Sequence, residues 1–124
     1  MKTIIKKTID KQSIINIAKQ NPHYFNDAGI NLIKKGLEGK PLLFGSFLNN
    51  KMVAFIVFKE LNDQVVELVW MAVVPKYQDQ SIGTLLVKEG IKLLPKNMFY
   101  VRRKHYQKQT LTQDIPEQEI FIRS

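Results

Sequence analysis

Glu67 is the only charged residue between Gln64 and Pro75, inside the apolar run QVVELVWMAVVP. A lone carboxylate in such a run has one obvious chemistry: in a partly apolar slot it can accept a proton, directly or through water. An exposed Glu67 near the start of a strand would instead pair with a lysine such as Lys59 across a hairpin. The residues alone leave both readings open. Just downstream lies YQDQSIGTLL, Tyr77 to Leu86. A helix starting at Ser81 or Ile82 leaves its first backbone N–H groups without helical partners, at the positive end of its dipole. A phosphate is a natural ligand for such a site, and Gly83, lacking a Cβ, would let it come close. Ser81 also reads as an ordinary N-cap, and most helix starts bind nothing. Neither the Gly-Lys-Ser/Thr ending of a triphosphate loop nor a three-glycine dinucleotide fingerprint is present.

Other chemistry is sparse. With no cysteine there is no thiolate ligand, disulfide or cysteine nucleophile. His23 and His105 are far apart, with no carboxylate at ligand spacing, so no metal site is expected. The segment VRRKHYQK, Val101 to Lys108, is the densest basic patch. It could be a nucleic-acid surface, a clamp for a ligand phosphate or a solvated strand end. A net charge of +8 favours anionic partners over polycationic ones, or serves solubility alone. No apolar run is long enough to span a membrane, and the N-terminus MKTIIKKTID lacks a signal-peptide core, which makes the cytoplasm the default compartment.

The elements that must position these residues can be read from periodicity. The length of 124 residues fits one domain, residues 1–124. Residues 3–9 suggest a first strand. Asp10 then caps a helix carrying Ile14, Ile17 and Ala18, which Pro22 ends. Asn26 caps a second helix carrying Ile30, Ile33 and Leu37, with Gly39 as its stop. PLLFGSFL, KMVAFIVFK and QVVELVWMAVV read as three successive strands, joined by Asn49-Asn50 and Asn62-Asp63 turns. The last two are apolar on both faces and belong mid-sheet. A third helix runs from Ser81 or Ile82 to Leu94 and stops at Pro95. MFYVR and EIFI supply further strand pieces. The expected fold is α/β (α+β): a mixed, mostly antiparallel sheet with helices on both faces and one strand–helix–strand crossover.

The run ELVWMAVVPKYQDQSIGTLLVKEGIKLL resembles the central motif of the GNAT superfamily, the acyl-CoA N-acyltransferases. Gln78 fills the Gln/Arg place of its Gln/Arg-x-x-Gly-x-Gly/Ala turn and Gly83 the last place, while Ser81 stands at the first glycine. The likeness extends as topology over about residues 1–103 and is motif-specific over about 64–94. It implies acetyl-CoA as cosubstrate. The implied cofactor-binding residues are Met71, Ala72 and Val73, whose backbone would pair with the pantetheine arm, and Gln78, Asp79, Gln80, Ser81, Ile82, Gly83 and Thr84 around the pyrophosphate. Glu67 matches a catalytic glutamate that would deprotonate a primary amine before direct attack on the thioester. Tyr106 is the nearest substitute for the family's general-acid tyrosine, with Tyr100 next. Tyr24 and Phe25, between the first two helices, would border the acceptor, a small-molecule or protein amine. The Cβ of Ser81 and the carboxylate of Asp79 predict weaker coenzyme binding than the family norm. The sequence stops where the family adds a helix and a closing hairpin, so the acceptor wall is expected to be thin or to be supplied by a second subunit, and a short sheet with an uncovered edge would favour such a homodimer. Two alternatives stand beside the N-acetyltransferase: a non-catalytic coenzyme-A-sensing or partner-binding module of the same fold, and a basic nucleic-acid-binding domain.

Overall fold

The computed structural model describes residues 2–103 and 120–122. Strand β1 (Ile4–Lys7) leads to helices α1 (Lys11–Lys19) and α2 (Asp27–Gly36). Three strands follow: β2 (Leu42–Leu48), β3 (Lys51–Glu60) and β4 (Val65–Val73). A 3-10 turn (Pro75–Tyr77), helix α3 (Ile82–Lys92), β5 (Tyr100–Arg103) and β6 (Ile120–Ile122) complete the order. The sheet runs β1-β2-β3-β4-β5-β6. All neighbours are antiparallel except β4 and β5, which are parallel because α3 carries the chain back across one face.

Local chemistry sets the boundaries. The Asp10 carboxylate accepts from Ser13 N–H at 3.0 Å, and Asn26 Oδ1 accepts from Gly29 N–H at 2.8 Å, so both expected caps form. Asn49 and Asn50 turn the β2–β3 hairpin at φ 51° and 67°, the left-handed geometry asparagine tolerates. Asn62 Oδ1 accepts from the N–H groups of Gln64 and Val65 and turns the chain into β4. Helix α2 ends at Gly36, before the expected stop at Gly39: the Leu37 N–H closes the last turn on Ile33, and its side chain is buried there.

Two cores sandwich the sheet. One lies under α3 and includes Phe44, Phe58, Leu68, Met71 and Leu86; the other, under α1 and α2, includes Ile14, Ile33, Phe55, Val57 and Ala72. Strand β4 feeds both, but not by simple alternation. Its register with β3 jumps from Phe58↔Leu68 to Val57↔Trp70, which leaves Val69 as the extra residue of a bulge. Before the bulge Val66 and Leu68 face α3; after it Met71 and Val73 do. The parity change turns Glu67 and Trp70 onto the same side, toward α1 and α2.

Candidate active site

The described pairing between β4 and β5 ends at Leu68. The parallel rungs run from Val65↔Tyr100 to Leu68↔Arg103, and no described residue pairs with that edge of β4 farther on. Val74 N–H donates to Val53 at 2.9 Å, so strand alternation turns the backbone groups of Ala72 toward β3 and those of Met71 and Val73 toward the opposite edge, which no described residue pairs there. Of the three backbone positions expected to face a ligand, Ala72 is therefore engaged within the sheet. Met71 and Val73 line the slot.

A polar knot ties down the slot's far end. Asn21, 4% exposed, donates through Nδ2 to the carbonyls of Ile17 (2.9 Å) and Val73 (3.2 Å). Gln78 Nε2 donates to Asn21 Oδ1 (2.9 Å) and to the Val73 carbonyl (3.0 Å). The Gln78 side chain thus turns inward and fastens the loop to β4 and, through Asn21, to α1. Asn21 had no signal in the sequence beyond its place before Pro22.

The loop after Gln78 presents its backbone. Asp79 and Ser81 both hold positive φ, 65° and 62°, and both are exposed. Ser81 is the N-cap of α3 in the left-handed region, yet its hydroxyl makes no capping bond. The first helical bond runs from Leu85 N–H to Ser81 C=O at 3.0 Å. The amides of Ile82, Gly83 and Thr84 precede it and occupy the electropositive end of an eleven-residue helix. Gly83 also serves packing. A Cβ there would sit 3.2 Å from Met71 Cε and 3.6 Å from Val73 Cγ2, so its bareness lets α3 settle against β4.

Glu67 sits one rung before the slot opens. Its side chain is 15% exposed, and its Oε2 lies 3.8 Å from Arg102 Nε on β5. The cross-strand neighbour Lys59 is in register with it, but the ion pair runs to Arg102. Glu67 lines a cavity of about 500 Å³ between the end of α2 and the sheet, together with Gly36, Lys40, Lys59, Val69 and Trp70. Trp70 covers Gly36 so closely that a Cβ there would fall 2.4 Å from its ring. Of the residues expected to border the acceptor, Phe25 is 8% exposed and packed in the α1–α2 core, so it is a structural residue. Tyr24 is exposed, and neither lines the Glu67 cavity. Tyr106 lies outside the described residues; Tyr100 is a β5 residue beside Val65. Of the basic segment 101–108, Arg102 is engaged with Glu67. Among the described residues no group of His, Asp or Glu is placed to hold a metal, and no helix is long and apolar enough to cross a membrane.

Among the described residues, a strand edge without a partner past Leu68 and a helix N-terminus at its far end can together hold a linear amide chain with a phosphate end, with the Glu67 carboxylate at its start. Solved structures share this arrangement of strands and helices. PaiA N-acetyltransferase from Thermoplasma acidophilum, in complex with coenzyme A, superposes with a TM-score of 0.66 at 21% identity, over 83% of this chain and 79% of that one. The GNAT family N-acetyltransferase YhbS from Escherichia coli, in complex with CoA, gives 0.72 at 19% identity, over 93% and 68%. The ribosomal-protein-S18-alanine N-acetyltransferase from Escherichia coli gives 0.66 at 22% identity, over 82% and 66%. Comparison with curated protein sequences gave no match. The sequence model of the acetyltransferase (GNAT) family matches residues 12–109, most of the chain, and the protein belongs to that family.

Proposed function

We propose that the protein transfers an acetyl group from acetyl-CoA to a primary amine by direct attack in a ternary complex. The observation that carries this reading is the position of Glu67: in a cavity, one rung before the described pairing of that β4 edge ends. Coenzyme A, held by several structural relatives, fits the slot. The edge groups of Met71 and Val73 suit its pantetheine amides, and the amides of Ile82 to Thr84 suit its pyrophosphate. The Val73 carbonyl already takes bonds from Asn21 and Gln78, which leaves the Val73 N–H and the Met71 groups to the arm.

The acceptor enters from the Glu67 cavity. Its ammonium, with a pKa of about 10.4, must lose a proton before it can attack. Glu67 takes that proton, directly or through water. The amine nitrogen then bonds to the thioester carbonyl carbon, an N–H on the free edge of β4 steadies the oxygen as it gains charge, and the C–S bond breaks. The thiolate of coenzyme A leaves and is protonated, and the nitrogen loses its second proton to solvent. With no cysteine in the chain, no acyl-cysteine intermediate forms.

Calorimetry with acetyl-CoA and coenzyme-A release with an amine panel test the proposal. Glu67→Gln is expected to lower kcat about 100-fold at neutral pH. The deficit should shrink as pH rises toward the acceptor's own pKa, where free amine no longer needs a base. Full rate in Glu67→Gln removes Glu67 as the base. Binding of acetyl-CoA with no release for any amine leaves a coenzyme-binding module instead.

A further inference from the structure

The Glu67 cavity is lined by three lysines, Lys35 and Lys40 at the α2 end and Lys59 on β3, against the carboxylates Glu60 and Glu67. None of the three lysines forms an ion pair with a described residue, whereas Glu67 is met by Arg102. Among the described residues the cavity therefore holds one deep carboxylate on its sheet floor, with cations that lack an ion-pair partner at the α2 end and on β3. The negative end of the α2 dipole and Glu60 face the same space, and with Arg102 meeting Glu67 the three lysines outweigh them. A dication would meet Lys35, Lys40 and Lys59 with its second charge. A small anion-bearing amine would satisfy both ends. A cavity of about 500 Å³ suits a small molecule.

We infer that the acceptor is a small amine carrying an anionic group, a carboxylate or a phosphate, with its nitrogen at Glu67 and its anion against Lys35 and Lys40. The inference rests on the acetyl-transfer reading in taking the cavity's ligand to be the acceptor. Trp70 is the only tryptophan in the chain and lines this cavity, so binding can be read without turnover. Its fluorescence is titrated, with coenzyme A present, against 3-aminopropanoate, O-phosphoethanolamine, 3-aminopropanol and 1,3-diaminopropane. At least one anionic amine is expected to bind about tenfold more tightly than the diamine, and the tighter of the two says whether carboxylate or phosphate is preferred. The exposed pair change Lys35→Ala with Lys40→Ala should raise that Kd about tenfold. The inference is overturned if the diamine binds as well as or better than both anionic amines, if no amine changes the Trp70 signal, or if the paired variant binds like the parent. Coenzyme-A release is followed in parallel. Anionic-amine binding with no release for any acceptor sinks the acetyl-transfer reading alone, and release led by the diamine sinks this inference alone.

Discussion

Ser81→Gly should make the protein both more stable and a better coenzyme binder. Ser81 holds φ 62° and ψ 13°, where a Cβ crowds the following carbonyl at roughly 1–2 kcal/mol for a non-glycine residue. Its hydroxyl makes no capping bond and its side chain is exposed, so removing it forfeits no contact. Against that gain stands the larger entropy glycine loses on folding, about 0.4–1 kcal/mol. The net is a stabilisation of about 0.5–1 kcal/mol. Unfolding entropy near 2.1 cal/mol/K per residue gives ~0.26 kcal/mol/K for 124 residues, so Tm should rise by about 2–4 °C. Calorimetric melting of Ser81→Gly beside Ser81→Ala isolates the cause. Alanine keeps the Cβ and deletes only the hydroxyl, so it should leave Tm unchanged or slightly lower. Acetyl-CoA affinity should rise several-fold in the glycine variant alone, since the Cβ no longer stands where a phosphate approaches. A glycine variant no more stable than the alanine variant would refute the strain argument. Equal coenzyme affinity in the two would refute the steric one.

Asn21→Ala strips Val73 and Gln78 of a buried partner and should destabilise by about 2–3 kcal/mol in denaturant melts, with acetyl-CoA affinity falling as the loop comes loose. Gly36→Ala places a Cβ 2.4 Å from the Trp70 ring, so Trp70 must move; its emission should shift, with a stability loss of about 1 kcal/mol. Asp10 accepts from the Ser13 hydroxyl and the Ser13 N–H, which hold its carboxyl below the ordinary value. That stabilisation is present above the unfolded carboxyl pKa of about 3.9 and is lost as pH falls through the lower folded value. Asp10→Ala should therefore cost about 1 kcal/mol at neutral pH and progressively less below pH ~4, measured by thermal melts across pH.

Most of the architecture was legible because its signals are local. Asp10 and Asn26 mark helix starts by chemistry that needs only the next few residues, and Asn49-Asn50 marks a hairpin the same way. The face that Glu67 occupies was not legible. Strict alternation would set Glu67 with Met71 and Val73 and apart from Trp70, and only the bulge at Val69 reverses this. A bulge is a property of two strands in register, so one strand's sequence does not announce it. The partner of Glu67 was missed for a related reason: Lys59 is its nearest neighbour along the hairpin, but Arg102 arrives on β5 through the α3 crossover. Phe25 is placed at the acceptor by the family resemblance alone, since an aromatic in a loop reads alike whether it faces solvent or core.

The loop motif itself changes meaning once its side chains are placed. Three of its positions shape the backbone. Gln78 anchors the loop through Asn21 and the Val73 carbonyl. Gly83 admits α3 against Met71 and Val73. Ser81 takes the left-handed turn for which glycine is the natural residue. No described glycine has positive φ, so the bend at the helix start is made by Asp79 and Ser81, residues for which it is unfavourable. They are held there because both ends of the loop are fixed: Gln78 by the knot, and Ile82, 5% exposed, by the core under α3. A loop fixed at both ends keeps its amides in place without help from glycine, which is why Ser81 at the first motif glycine is compatible with the pyrophosphate site proposed there and is expected to cost stability and affinity, not architecture.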